Sequence, residues 1–271
     1  MDKIEKALKK AQAGSQSSVN TKIETPVINQ PDQNEGIKYT QTRLQSVNLE
    51  ALLERRVVAH KKFTPEGAVF KMLRTKVLKK MRKNNWNNFA ITAPTQGAGK
   101  SMIAVNLAIA IAMEVNQTVL LVDMDLKYPK VHWYLDLQVK KGLRDFILAD
   151  TPLSEILVNP GIERLVVLPG RGETSMGSSE MLTGPKMQKM IEEIKNRYQS
   201  RIIIFDMPPM LASDDVLASL DYYDAMLLVV EEGGNKPDEV KTALQLLSDK
   251  SLLGTVLNKS ENIPAEQKGY Y

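Results

Sequence analysis

From Asn88 onward, short apolar segments alternate with segments of helical periodicity, and this alternation restricts the fold more than any other feature. Most apolar segments are continuous hydrophobic runs, which is typical of strands buried on both faces of a parallel sheet. The alternation predicts a doubly wound, mostly parallel α/β sheet flanked by helices, with ligands at the carboxyl ends of the strands. The predicted strands are residues 88–93, 118–124, 163–168, 201–206, 225–231 and 252–257, and the predicted helices are residues 100–115, 142–149, 184–198, 213–220 and 236–248.

The N-terminal residues differ in composition from this alternating region. Apolar residues at helical spacing over 2–12 predict a short amphipathic helix. The stretch from residue 14 to about residue 43 is rich in Ser, Asn, Gln, Thr and Pro, which predicts a flexible linker. We therefore divide the chain into a flexible N-terminal arm (1–50), an α/β domain (51–262) and a C-terminal tail (263–271).

Composition narrows the chemistry and the location. The chain has no cysteine, which excludes disulfides and thiol catalysis. No apolar run approaches the roughly 18 residues that a membrane span needs, and no signal peptide opens the sequence, so a cytoplasmic protein is expected. The net charge is +4, yet residues 55–83 alone hold eleven Lys and Arg and one acid, Glu66. This basic segment is either a contact for anionic lipid, nucleic acid or an acidic partner surface, or simply a solvated helix face.

The turn between the first predicted strand and the following helix reads APTQGAGKS over residues 93–101. In this setting the backbone N–H groups of a glycine-rich turn converge on phosphate oxygens, while Lys100 pairs with the β- and γ-phosphates and Ser101 binds Mg²⁺. Pro94 departs from the usual pattern, which begins with glycine. The alternative is a glycine-rich helix cap with a solvated Lys100. The residues predicted to bind the nucleotide here are Gln96, Gly97, Ala98, Gly99, Lys100, Ser101 and Met102.

Carboxylates follow two further strands. Asp123 and Asp125 close the second strand, and Asp206 closes the run Ile202 to Phe205. Burying carboxylates away from water is costly unless a metal or hydrogen-bond donors compensate. The alternative is that each aspartate forms a turn or caps a helix, which explains one aspartate more easily than two. An aspartate after a run of apolar residues is the pattern that holds Mg²⁺ beside a phosphate loop. The three segments together predict an ATP–Mg²⁺ site.

These motifs resemble the bacterial tyrosine kinases of capsule and exopolysaccharide export, whose P-loop ATPase fold is related to the partition and division-site ATPases. The resemblance covers about residues 60–260. The opening residues 2–8 are similar to the exosortase-associated branch of stand-alone members. Lys127 and Met207 stand where the family usually has Arg and Thr or Ser. The segments that carry the resemblance are residues 93–101, 121–129 and 206–209, with His132 three residues after Pro129.

The resemblance implies an ATP- and Mg²⁺-dependent protein-tyrosine autokinase that regulates polysaccharide polymerisation or export. It implies an inner-membrane chain-length regulator as partner, whose cytosolic tail completes the site and holds the protein peripherally at the membrane; no nucleic-acid partner is expected. Lys100, Asp123 and Asp125 are the implied catalytic residues, and which aspartate takes the hydroxyl proton stays open. The implied Mg²⁺ ligands are Ser101, Asp125 and Asp206. Asn258 is expected near adenine, or else in a plain turn at a strand end.

Two departures from the family pattern affect the acceptor and self-association. The family normally ends in a tyrosine cluster, whereas this tail offers Tyr270 and Tyr271, as a minimal autophosphorylation cluster or as an exposed polar tail. The family's ring-forming helix carries Glu-x-x-Arg-x-x-Arg, and the aligned positions are Ala68, Lys71 and Arg74. Self-association therefore lacks the acidic half of an intersubunit charge pair.

Two other functions are compatible with a nucleotide site of this kind. The first is a switch ATPase of the partition or division-site class, which binds a partner instead of phosphorylating it. That class usually has an extra lysine where Thr95 stands, so its absence favours the kinase. The second is a nucleotide-binding scaffold without catalysis that docks through residues 55–83. The sequence does not identify the polymer or other protein substrates.

Overall fold

The computed structural model describes residues 42–61, 64–171, 177–196 and 200–261. All of these residues lie within one compact unit, Tyr39–Tyr271. The helix expected over residues 2–12, most of the expected linker and both terminal tyrosines lie outside the described residues.

Within the described residues, eight strands form one sheet in the order β1-β4-β5-β3-β6-β2-β7-β8. All neighbouring strands run parallel except β4 and β5, which are antiparallel. This arrangement confirms the mostly parallel α/β fold. The strands are β1 (Arg43–Leu44), β2 (Asn88–Thr92), β3 (Thr118–Asp123), β4 (Val158–Asn159), β5 (Leu165–Leu168), β6 (Arg201–Asp206), β7 (Ala225–Glu231) and β8 (Leu252–Asn258).

The helices cover both faces of the sheet. Successive residues of the central strands point to opposite faces and pack in two separate hydrophobic clusters. Phe89 and Ile91 pack in one cluster, while Ala90 between them packs in the other. The helices are α1 (Leu49–Glu54), α2 (Pro65–Asn84), α3 (Lys100–Ala112), α4 (Val131–Tyr134), α5 (Leu143–Ala149), α6 (Leu153–Ile156), α7 (Ser178–Thr183), α8 (Pro185–Asn196), α9 (Asp215–Ala218) and α10 (Pro237–Leu246), with a 3₁₀ turn at Leu220–Tyr222.

Local chemistry sets the ends of the long basic helix α2. Thr64 caps its start by accepting a hydrogen bond from the Gly67 N–H, and Pro65 occupies the first turn, where a missing N–H costs nothing. The helix ends at Asn85, which adopts a left-handed conformation (φ 56°). No helix in the described ranges combines the length and hydrophobicity that crossing a membrane requires.

The structure departs from the predicted elements mainly in short segments. The helix predicted over 213–220 is a single turn, α9, followed by the 3₁₀ turn. Strands β1 and β4 were not predicted, because two residues are too few to show a periodicity. Since β1 pairs with β4, the folded domain begins before residue 51, the boundary that the sequence indicated.

Candidate functional site

The phosphate loop connects β2 to α3 at the carboxyl edge of the sheet. Gly97 (φ +93°) and Gly99 (φ +92°) both adopt the left-handed conformation that favours glycine. A Cβ atom on Gly99 would strain the backbone at this positive φ and would displace the Asn258 amide, which it would meet directly. Asn258 Nδ2 donates to Ala98 O at 2.8 Å, and Asn235 Nδ2 donates to Thr95 Oγ1 at 2.7 Å. Two asparagines from the β7–β8 side of the sheet therefore hold the loop in place.

The structure brings together the side chains that the sequence placed around a metal and a phosphate. Lys100 Nζ lies 2.9 Å from Asp125 Oδ2, 3.7 Å from Asp206 Oδ1 and 3.2 Å from Ser101 Oγ. Burial alone would lower the pKa of Lys100, but the charges of Asp206 and Asp125 outweigh it and the pKa is raised. Lys100 is therefore a fixed positive charge between two carboxylates at neutral pH.

Asp206 is a poorly compensated buried carboxylate of the site. It is completely buried, and neither carboxylate oxygen has a hydrogen-bond partner among the described residues. Burial raises the pKa of Asp206, and the nearby Lys100 charge opposes that rise. Its only counter-charge among the described residues is the Lys100 ammonium, 3.7 Å from Oδ1, so this buried carboxylate is costly unless a further cation or its bound water compensates.

This poorly compensated carboxylate fits the Mg²⁺ that the sequence predicts. Ser101, Asp125 and Asp206 offer the oxygen ligands that Mg²⁺ prefers. Across the described part of the chain, no group of three or more His, Cys, Asp or Glu side chains could hold a metal by itself. A Mg²⁺ ion here would therefore take its remaining ligands from phosphate and water, as is usual beside a phosphate loop.

Asp123 occupies a different position from its neighbour Asp125. It is completely buried at the end of β3, opposite Asp206 of β6 in the strand register. Its Oδ2 accepts hydrogen bonds from the N–H groups of Lys130 and Val131 at 3.0 Å each. Burial and then the charge of Asp206 raise the pKa of Asp123 well above its usual range. Asp123 therefore fixes the start of α4, whereas Asp125 lines the adjacent cavity.

Two cavities flank the phosphate loop. The first, of about 250 Å³, lies on the carboxylate side. The second, of about 350 Å³, lies on the Asn258 side, and the two share Gly97, Gly99 and Tyr134. The first is lined by Gln96, Gly97, Gly99, Lys100, Ser101, Asp125, Lys127, Tyr128, Lys130, Tyr134, Pro208, Pro209, Ala212 and Ser213. The second is lined by Glu54, Arg55, Arg56, Gly97, Gly99, Met102, Trp133, Tyr134, Asn258 and Lys259.

The sequence did not predict that residues 54–59, which we call the N-terminal strap, pack beside the phosphate loop and that their first three residues line the second cavity. Asn106 of α3 is fully buried, and its Oδ1 accepts hydrogen bonds from Val58 N (2.8 Å) and Ala59 N (3.0 Å). Its Nδ2 donates to Arg56 O at 3.0 Å. The helix after the phosphate loop therefore holds the strap directly. The only signal in the sequence is a polar residue inside the apolar run from Ile103 to Ala112.

A second set of contacts joins the strap to α4. The Arg55 guanidinium lies 5.1 Å from the centre of the Trp133 ring and 2.9 Å from Asp136 Oδ1. Asp123 fixes the start of the same short helix. The strap, the Asp123–Asp125 turn and the phosphate loop are therefore linked through α4 and α3.

Comparison with known proteins decides the family. A family model described as an AAA domain matches residues 88–232, more than half of the chain. The tyrosine-protein kinase YwqD of Bacillus subtilis (strain 168) is 30% identical over 183 residues, which cover 67% of this chain and 76% of YwqD. The chain belongs to the bacterial tyrosine-protein kinase family.

Other relatives support the same family assignment. The putative tyrosine-protein kinase CapB of Staphylococcus aureus is 28% identical over 204 residues, covering 74% of this chain and 86% of CapB. The crystal structure of the chimerical protein CapA2B2 superposes with a TM-score of 0.71 at 26% identity, covering 81% of this chain and 94% of the chimera. This kinase-family chain spans only about a quarter of the length of the tyrosine-protein kinase etk of Escherichia coli (strain K12).

The family's fold is shared more widely than its chemistry. The septum site-determining protein MinD of Pyrococcus horikoshii, solved with Mg-ADP, superposes with a TM-score of 0.54 at 24% identity over 66% of this chain and 74% of MinD. This likeness confirms the fold related to the division-site ATPases. The shared fold does not distinguish a kinase from a switch ATPase. The sequence relatives make this distinction, and they favour the kinase family.

Proposed function

We propose that this protein is an ATP-dependent protein-tyrosine autokinase that regulates the polymerisation and export of a capsule or exopolysaccharide. The arrangement that carries the proposal is Lys100 held between Asp125 and Asp206 at the phosphate loop. Its relatives CapB and YwqD are named as tyrosine-protein kinases, which supports tyrosine as the acceptor.

In this proposal the phosphate loop, residues 96–102, cradles the triphosphate. Lys100 neutralises the β- and γ-phosphates, and Ser101, Asp125 and Asp206 hold Mg²⁺ directly or through water. The metal, when bound, neutralises charge on the phosphates. The nucleoside occupies the second cavity, with Asn258 and the N-terminal strap as its walls.

Asp125 is the carboxylate that we assign to the acceptor hydroxyl. Phosphoryl transfer depends mostly on positioning and charge neutralisation, so the base must reach the acceptor as it enters the site. Both carboxylates accept hydrogen bonds, Asp125 from Lys100 and Tyr128 N and Asp123 from Lys130 N and Val131 N, but only Asp125 lines the first cavity, whereas Asp123 is completely buried outside its lining. Asp123 acts as a positioning residue for the turn that carries Asp125.

The acceptors in the proposal are Tyr270 and Tyr271 of another copy, and the activator is the cytosolic tail of an inner-membrane chain-length regulator. The partner brings the protein to the membrane, with the basic residues 55–83 as an additional contact. Several lysines of this segment are exposed on α2, which is compatible with such a contact.

Mass spectrometry of the C-terminal peptide tests the proposal. The full-length protein is incubated with ATP and Mg²⁺, with and without a peptide of the partner's cytosolic tail, beside a Lys100→Met control. Phosphate on Tyr270 or Tyr271 in the wild type alone is the expected result. ATP turnover without phosphotyrosine, even with the tail present, would indicate a switch ATPase instead.

A further inference from the structure

The charged residues that line the first cavity have an excess of positive charge. They are Lys100, Asp125, Lys127 and Lys130. Asp125 is already satisfied, because its Oδ2 accepts from Lys100 Nζ at 2.9 Å and its Oδ1 accepts from Tyr128 N at 2.9 Å. Asp125 is the only carboxylate among the described residues that line this cavity, so Lys127 and Lys130 are not neutralised within it.

Lys127 and Lys130 have no ionic partner elsewhere within the described ranges. Lys127 Nζ lies 3.3 Å from Ser213 Oγ, a neutral partner across the cavity mouth. Lys130 is exposed, and its side chain forms no ion pair with a described residue; only its backbone N–H is engaged, as a donor to Asp123 Oδ2. Two ammonium groups without counter-charges at the rim of a cavity raise the local concentration of anions.

The remaining wall of the first cavity suits an aromatic ring. Pro208, Pro209 and Ala212 supply an apolar side, and Tyr128, with 65% of its surface exposed, stands at the rim. The phosphate-binding residues Lys100 and Ser101 form another part of the same lining. A tyrosine side chain that enters along the apolar wall approaches the phosphate site while its flanking residues remain near the two lysines.

We infer that Lys127 and Lys130 select acceptor segments in which acidic residues flank the tyrosine. The inference rests on the proposed kinase function and adds the substrate class of the same site. An acidic flank supplies the missing counter-charges at the rim, and a basic flank meets like charge there. The other use of these lysines, contact with the ATP phosphates, is an outcome that the experiment below separates.

The experiment compares two synthetic peptides of equal length, one with glutamates and one with glutamines on both sides of a single tyrosine. The readout is the ratio of their kcat/KM values with the full-length protein and saturating Mg-ATP. Because each partly exposed ion pair contributes little, two pairs are expected to favour the acidic peptide by about 3- to 20-fold. Raising the salt from about 50 mM to about 300 mM is expected to shrink the ratio, because exposed charges are screened.

Charge variants assign the preference to the rim. In the Lys127→Gln/Lys130→Gln double variant the ratio is expected to fall to about one, whereas Lys189→Gln, an exposed lysine on α8 that lines neither cavity, keeps the wild-type ratio. The ratio cancels any common effect on folding or ATP binding. If the lysines serve ATP, both peptides slow equally and the ratio persists, which overturns the inference.

The experiment distinguishes a failure of the acidic preference from a failure of the proposed kinase function. If the wild type phosphorylates its own tyrosines but uses both peptides equally well, the acidic preference is wrong and the kinase function stands. If no tyrosine is phosphorylated in either peptide or in the protein itself, both are wrong. The single variant Lys130→Gln, at an exposed side chain, repeats the test should the double variant fail to fold.

Discussion

Replacing Lys100 by methionine is expected to destabilise the nucleotide-free protein strongly at neutral pH and much less in mild acid. Lys100 Nζ lies 2.9 Å from Asp125 and 3.7 Å from Asp206, and Asp206 has no hydrogen-bond partner among the described residues. Methionine fills a similar volume but leaves these buried carboxylates without their counter-charge. Removing one partner of a buried pair costs about 3–5 kcal/mol.

The pH dependence follows from the raised pKa values of Asp123 and Asp206. Burial holds both above their usual value of about 3.9, so between that value and their folded pKa values the folded protein binds more protons than the unfolded chain. The free energy of unfolding therefore falls as pH rises through this window. Without Lys100 the pKa of Asp206 rises further, and lowering the pH restores about 1.4 kcal/mol per unit for each extra proton bound.

Urea unfolding at about pH 5 and about pH 7.5 measures both effects. The wild type, Lys100→Met and Lys189→Met are compared, since Lys189 is exposed and lines neither cavity. The exposed variant is expected to change the unfolding free energy by less than about 0.5 kcal/mol at either pH. A Lys100→Met cost below about 1 kcal/mol at neutral pH, or one that does not shrink in acid, would refute the electrostatic reasoning.

Three further substitutions test the surrounding structure. Asn106→Ala leaves the Val58 and Ala59 N–H groups of the N-terminal strap without their acceptor, so urea unfolding should show a loss of about 2–4 kcal/mol. The control is Asn84→Ala, which removes an exposed amide with one hydrogen bond, and equal losses in the two variants would contradict the expectation. Gly99→Ala should abolish ATP binding in calorimetric titrations, because its Cβ would meet Asn258; retained affinity would show that the loop adapts. Asp206→Asn should remove the Mg²⁺ dependence of ATP binding and cost less stability than Lys100→Met, because Lys100 keeps Asp125 as a partner at 2.9 Å; an unchanged Mg²⁺ dependence would exclude Asp206 from the metal site.

The central fold could be predicted from the sequence because strands buried on both faces of a parallel sheet consist of continuous apolar runs. Strands β2, β3, β6, β7 and β8 begin within a residue or two of the predicted positions. The two-residue strands β1 and β4 were missed because their positions depend on pairing with distant segments. Hydrophobic periodicity carries no information about such short contacts.

The site was predictable where it depends on strand ends and unpredictable where it depends on side-chain direction. Strand β6 lies between β3 and β2 in the sheet, so the phosphate loop, Asp125 and Asp206 meet at one edge, as parallel topology requires. The different positions of Asp123 and Asp125 follow from the turn after β3, where backbone N–H groups capture the first carboxylate. The N-terminal strap depends on the single buried amide of Asn106, which no motif marks.

The most direct test of the central claim is transfer of the terminal phosphate of γ-labelled ATP, followed by phosphoamino-acid analysis. The wild type with Mg²⁺ is expected to carry label on tyrosine alone, and Lys100→Met, at a pH where it is folded, is expected to carry none. Label on tyrosine in the Lys100 variant at the wild-type rate, or none in the wild type with its partner tail, would contradict the account.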